Sequence, residues 1–171
     1  HAPLDIFLAS VARKGLWCRL WVREYLEGLL REGAIDLGFS PDDYFRQTDL
    51  QIAAVGWLAQ HQIFHGLGER FGTTRIIGID SETLVNERAI VVPKIFDHFG
   101  FERTHMLAVS GAKAFTRHSK SGTDFGMEQR MAEQAAAKNA HQDEIEKVVV
   151  WAETVARNAG VDLTTPNKLA L

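Results

Sequence analysis

The sequence predicts an α/β fold that is mainly helical, with one or two buried parallel strands. A short β-branched run at 76–79, bounded by glycine and polar residues, is typical of a strand buried on both faces. Elsewhere apolar residues recur at three- and four-residue steps, the period of amphipathic helices. With 171 residues and 46% hydrophobic content, the chain can bury a sizeable core. We therefore predict one domain, 1–171.

Charge and cysteine content narrow the partners and the compartment. The formal net charge of −3 gives no overall attraction to nucleic acid or anionic membranes. No run reaches the ~18 apolar residues of a membrane-spanning helix. The one cysteine, Cys18, cannot form an internal disulfide, which favours a reducing compartment and a cytoplasmic location. Since the chain opens on His1 without an initiator methionine, we expect a fragment of a longer protein.

The first half of the chain predicts three helical segments. Pro3 suits the first turn of the first helix. The second helix, 17–32, has an apolar face that we predict to be core, with an acceptor-substrate wall as the alternative. That face contains Trp17, Leu20, Trp21, Tyr25, Gly28 and Leu29. The third segment starts at Ser40-Pro41, breaks near Asp49 and resumes as far as Gly72.

His61 and His65 are four residues apart within that segment, the spacing of zinc ligands on a helix. No glutamate lies between them, and no third ligand is evident nearby in the sequence. We predict no metal site and expect both histidines on the polar face of the helix.

The stretch 75–101 combines the predicted strand with the helix that follows it. Helical periodicity takes over at Leu84 and ends at Gly100. Pro93 either starts the helix proper or kinks it. Glu82, at the predicted strand end, is either a capping or surface carboxylate or a group that faces a ligand.

A basic stretch at 103–123 contains four Lys or Arg residues and no acid. Glycine and serine there allow backbone amides to approach an anion that Arg and Lys neutralise. The stretch therefore suits a phosphate or sulfate, and a solvated basic loop is the alternative. Two further helices are predicted at 127–139 and 145–159, the second ended by Gly160.

Four segments, taken in order, resemble the C-terminal part of sulfotransferases. The segment Ile79-Asp80-Ser81-Glu82-Thr83-Leu84 is similar to the family's R-Y-E-D-L element without its arginine and tyrosine, and 96–101 is similar to the following F-L-G. Pro3, Asp5 and Ser10 resemble R-x-P-x-D-x-x-x-S, with the serine one position late. The loop at 115–122 resembles the family's nucleotide-closing loop, and the last helix its terminal helix.

The resemblance implies a P-loop-type, three-layer α/β/α fold of which this chain is the C-terminal portion. It implies 3′-phosphoadenosine 5′-phosphosulfate (PAPS) as sulfuryl donor and a small-molecule or carbohydrate acceptor bearing a hydroxyl or amine. Ser10, Arg117, Lys120 and Gly122 would bind the nucleotide. The family's phosphosulfate loop and catalytic base precede this region, so we assign no catalytic residue and expect the chain alone to be inactive.

The competing hypothesis is a non-enzymatic helical module that binds a protein partner through its aromatic faces. In either case, apolar surface left by a missing front half would favour homo-oligomers.

Overall fold

The computed structural model describes residues 2–102 and 127–170, which contain eight helices. The helices are α1 (Leu4–Arg13), α2 (Gly15–Arg31), α3 (Pro41–Arg46), α4 (Asp49–Phe71), α5 (Ser81–Asn86), α6 (Arg88–Phe99), α7 (Met127–Ala140) and α8 (Gln142–Ala159). The helices α1 and α4 pack against one another, and each also packs against α2 and α8. The helix α7 completes the bundle against α1 and α8.

Local signals set several helix ends, as predicted. The hydroxyl of Ser40 accepts the Asp43 N–H, and the hydroxyl of Thr48 accepts the Gln51 N–H, so α3 and α4 both start in capping boxes. Gly72, Gly100 and Gly160 follow α4, α6 and α8 with φ of 70°, 67° and 67°. A side chain is strained at such angles, so glycine ends the helix.

The helix α4 lies at the centre of the bundle. Every residue from Ile52 to Ala59 is buried, and Leu50, Val55 and Leu58 are fully enclosed. A helix that is apolar on all sides is typical of a core position rather than a surface position. The single apolar face expected from periodicity is therefore too narrow for the N-terminal half of α4.

The contact between α2 and α4 is fixed by a small residue and an ion pair. A Cβ placed on Gly56 would lie 3.4 Å from the Tyr25 ring, so the ring packs directly on the α4 backbone. At the start of α4, the Arg23 guanidinium contacts the Asp49 carboxylate at 2.7 Å and donates to the Gln47 carbonyl at 3.0 Å. These contacts set the register of α2 on α4.

The prediction that the aromatic face of α2 is core was wrong for three of its members. Trp17, Leu20 and Trp21 are 63%, 53% and 43% exposed, although Leu29 is buried. The buried side chains of α2 are instead Cys18, Val22, Leu26 and Leu29. These smaller side chains allow close approach to α4, whereas two tryptophans at the contact would separate the helices. Cys18 is the smallest of these buried side chains.

Two ion pairs join α1 to α7. The Asp5 carboxylate contacts the Lys138 ammonium at 2.7 Å, and the Arg13 guanidinium contacts the Glu133 carboxylate at 2.6 Å. The hydrogen bond from Lys138 to Asp5 raises the pKa of the lysine. The N-terminal part of α1 therefore contacts the C-terminal part of α7, and the C-terminal end of α1 contacts an earlier turn of α7, so the two helices run antiparallel.

The predicted α/β class, and with it the P-loop-type three-layer fold, was wrong. The described residues are mainly helical and contain no strand or sheet. At 76–79 the backbone makes only an isolated parallel bridge between Gly78 and Lys168. Gly78 donates to the Asn167 carbonyl and accepts from the Leu169 N–H, both at 3.0 Å. A β-branched run becomes a strand only beside another extended segment, and within the described ranges the C-terminal tail supplies a single bridge.

The predicted helix after this segment is divided in two. The helix α5 ends at Asn86, and α6 begins at Arg88 and packs against α5. Pro93 lies inside α6, so it does not start that helix.

Candidate functional site

Of the four predicted nucleotide-binding residues, the structure describes Ser10 alone. Ser10 lies on α1, half-buried, one turn before Arg13, and its carbonyl accepts the Lys14 N–H. Arg117, Lys120 and Gly122 lie outside the described residues.

The structure brings the helix of Ser10 beside the helix that follows the basic stretch. The helix α7 starts at Met127, five positions after Gly122. Its partner is α1, through the ion pairs of Arg13 and Asp5. Of the four segments that resemble sulfotransferases, 1–10 therefore leads into α1 and 115–125 precedes α7, and these two helices are neighbours.

Glu82 is a surface carboxylate, which was one of the two alternatives for this residue. Its side chain is exposed in the first turn of α5. The capping group is Asp80, whose carboxylate accepts the Thr83 N–H and hydroxyl at 2.7 Å each. Burial alone would raise the pKa of Asp80, but these hydrogen bonds outweigh it and the pKa lies below its usual value.

An apolar cleft of about 160 Å³ lies between the C-terminal half of α4, the segment 76–79 and the tail. It is lined by His61, Phe64, Leu67, Ile76, Ile77, Gly78, Ile79, Thr165 and Pro166. No Lys, Arg, Asp or Glu is among these residues. Because a phosphate or sulfate needs cations or aligned amides, this cleft does not suit the nucleotide.

The cleft wall depends on the close approach of Gly78 to the tail. A Cβ on Gly78 would lie 2.4 Å from the Pro166 carbonyl oxygen and 2.5 Å from Thr165 Cγ2. Both separations are far inside van der Waals contact, so the position requires glycine. Sequence reasoning missed this cleft because one of its walls, Thr165 and Pro166, comes from the tail, far along the chain from the other two.

The polar-face expectation was wrong for His61, which is 1% exposed. Its ring centroid lies 4.0 Å from that of Trp57, one turn earlier on α4. Burial lowers the pKa of His61, and the charge of His65 adds to that effect. His65 is half-exposed, with Nε2 2.9 Å from the Thr164 carbonyl oxygen. The described parts of the chain contain no cluster of three His, Cys, Asp or Glu that could hold a metal ion.

Acidification below pH 6.5 is expected to destabilise the chain through His61. The unfolded chain binds a proton near pH 6.5 that folded His61, with its lowered pKa, does not. The contribution of neutral His61 to the free energy of unfolding is therefore fully present above pH 6.5. Below pH 6.5 the free energy of unfolding falls by up to about 1.4 kcal/mol per pH unit until the pH reaches the pKa of folded His61. Urea unfolding between pH 5 and 8 measures this slope.

The matched variants are His61→Gln and His65→Gln. We expect His61→Gln to remove most of the slope between pH 5 and 6.5, whereas His65→Gln retains the larger part of it, because burial is the main cause of the lowered His61 pKa. The nearby Asp162 has a lowered pKa, because of hydrogen bonds from Thr164, and titrates at a lower pH. A slope that persists unchanged in His61→Gln would contradict the assignment.

A polar hollow lies on the other side of His65, between the α2–α3 loop, α4 and the end of α8. The acids on its wall are Asp36, Glu69 and Asp162, and no Lys or Arg lines it. Its acidic wall is therefore unsuited to a nucleotide, and the uncharged cleft is unsuited as well.

No helix in the described ranges is both long enough and apolar enough to cross a membrane. Comparison with protein-family models, curated proteins and solved structures found no match to this chain.

Proposed function

We propose that this chain supplies part of the nucleotide site of a PAPS-dependent sulfotransferase. In its full-length form the enzyme transfers a sulfuryl group to a hydroxyl or amine acceptor. The observation behind the proposal is the order of the four resemblance segments, 1–10, 75–101, 115–125 and the terminal helix. The proposal concerns nucleotide binding and does not extend to the three-layer fold.

The packing of α1 on α7 supports this assignment. Ser10 stands on α1, and the basic stretch with Arg117, Lys120 and Gly122 leads into α7. The antiparallel pairing of these helices through Arg13 and Glu133 joins two segments that lie more than a hundred residues apart in the chain. A nucleotide site that includes Ser10 and the basic stretch would be consistent with neighbouring positions of α1 and α7.

The chemistry divides between this chain and the rest of the proposed enzyme. Arg117 offers a planar pair of donors to a phosphate, Lys120 offers a point charge, and Gly122 offers a backbone amide that no side chain of its own covers. The hydroxyl of Ser10 adds a weaker donor. Sulfuryl transfer also needs an in-line acceptor and a base for its proton, and we assign neither to this chain. We therefore expect nucleotide binding without turnover.

Calorimetric titration with 3′-phosphoadenosine 5′-phosphate at low salt tests the proposal. We expect saturable binding that Arg117→Ala weakens at least ~10-fold, since a charged hydrogen bond to phosphate contributes about 1.5–3 kcal/mol. Ser10→Ala should have a smaller effect. Arg46→Ala is the matched control, because Arg46 is an exposed arginine on α3 and should leave the affinity unchanged.

Equal loss in the Arg46 and Arg117 variants would indicate non-specific charge attraction and contradict the proposed site. If the folded chain fails to bind, a longer form that includes the upstream region decides the matter. Binding there would assign the missing affinity to the upstream region. Failure there too would overturn the proposal in favour of a non-enzymatic helical interaction module.

A further inference from the structure

The solvent face of α2 presents a continuous apolar patch, which we call the α2 patch. Its members are Leu16, Trp17, Leu20 and Trp21, with exposed fractions of 71%, 63%, 53% and 43%. The opposite face of the helix, with Cys18, Val22 and Leu26, is buried against the bundle. Four large apolar side chains within two helical turns are typical of an interaction surface, whereas singly scattered ones are normal.

Charged residues flank the α2 patch with opposite sign at its two ends. Lys14 is exposed just before the patch, and Glu24 is exposed about one turn after it. Arg13 is paired with Glu133 on α7, and Glu27 is paired with Arg31 on α2, so these two charges are engaged within the chain. Arg19 and Arg23 turn aside to Asp49, at 3.7 and 2.7 Å, and so belong to the contact with α4. Lys14 therefore gives the α2 patch a basic end, and Glu24 gives it an acidic end.

We propose that the α2 patch pairs with the α2 patch of a second copy of this chain, with the two helices antiparallel. A two-fold interface places the same surface on both sides, so that each contact occurs twice. If the two helices cross midway between Trp17 and Trp21, the apolar side chains of one copy lie opposite those of the other at the centre of the interface. The same arrangement sets the Lys14 end of each copy beside the Glu24 end of the other.

The antiparallel direction follows from charge. In a parallel pair, Lys14 would face Lys14 and Glu24 would face Glu24, which is repulsive at both ends. An aromatic centre with a charged rim also matches the usual anatomy of protein interfaces. This pairing is independent of nucleotide binding, because it uses α2 rather than α1 or the basic stretch.

Sedimentation velocity over about 1–200 μM protein tests the pairing. We expect a concentration-dependent monomer–dimer equilibrium whose dissociation constant rises more than ~10-fold in Leu20→Asp. Phe45→Asp is the matched control, because Phe45 on α3 is 87% exposed and lies outside the patch. It removes a large exposed apolar side chain and should leave the equilibrium unchanged.

Charge reversal tests the direction. Lys14→Glu and Glu24→Lys should each weaken the dimer, and the double variant should recover it, since the pair is exchanged between copies. Circular dichroism confirms that every variant is folded. A wild-type chain that stays monomeric throughout would overturn the proposal, as would equal weakening by Phe45→Asp or no recovery in the double variant. A monomer that binds anionic phospholipid vesicles through Leu20 would overturn it in favour of a lipid surface.

Discussion

Leu58→Ala is expected to lower the free energy of unfolding by about 3–4 kcal/mol. Leu58 is 0% exposed and lies in the stretch of α4 where every residue is buried. The surrounding helices α1, α2 and α8 all pack on α4, so the space left by the removed methyl groups cannot close easily. Urea unfolding with an unchanged m-value measures the loss.

Leu67→Ala is the control on the same helix, because Leu67 is 37% exposed. Truncation there leaves no enclosed cavity and should cost less than about 1.5 kcal/mol. Similar losses at Leu58 and Leu67 would contradict the central position of α4.

Gly78→Ala is expected to detach the C-terminal tail from the segment 76–79. A Cβ at this position would lie 2.4 Å from the Pro166 carbonyl oxygen, so the backbones must separate. Separation breaks the hydrogen bonds of Gly78 to Asn167 and Leu169, each contributing about 1 kcal/mol. Protection of the Leu169 amide from hydrogen exchange should therefore fall by at least ~10-fold.

Gly66→Ala provides the matched control. Gly66 lies within α4, and an added Cβ there meets nothing within 4 Å. Alanine is a better helix former than glycine, so this variant should be more stable by up to about 1 kcal/mol. Unchanged amide protection at Leu169 in Gly78→Ala would show that the close approach is not required.

Helix ends were predictable from the sequence because they depend on neighbouring residues. The hydroxyls of Ser40 and Thr48 cap through bonds three residues away, and glycines at 72, 100 and 160 provide positive φ locally. Such signals act before any tertiary contact forms.

Features that depend on distant contacts were not predictable. Periodicity on α2 permits two apolar stripes, and the choice between Trp17 and Cys18 depends on how α2 packs against α4 and α1. The segment 76–79 has strand composition, but its state depends on the extent of pairing with the tail. His61 is buried in a helix whose surroundings come from several parts of the chain.

The candidate nucleotide site was predicted from resemblance, and its residues are only partly described. Periodicity indicated that Ser10 is on a helix but gave no information about the neighbour of that helix. The pairing of α1 with α7 rests on Asp5 and Lys138, which are 133 positions apart. No pattern within one segment specifies such a contact.

The tail that follows α8 has a consequence for synthesis of the protein. His65 contacts the Thr164 carbonyl, Gly78 bridges to Lys168, and Lys94 donates to the Ala170 carbonyl. Each contact joins an early segment to residues that are synthesised 76 or more positions later. The helices α2 and α4 can meet early, whereas the cleft and the full enclosure of α1 must wait for the C-terminal residues. During translation the apolar surfaces beside α1 and α4 are therefore exposed until the residues of α7, α8 and the tail have been made, and we expect the nascent chain to be prone to aggregation over that interval.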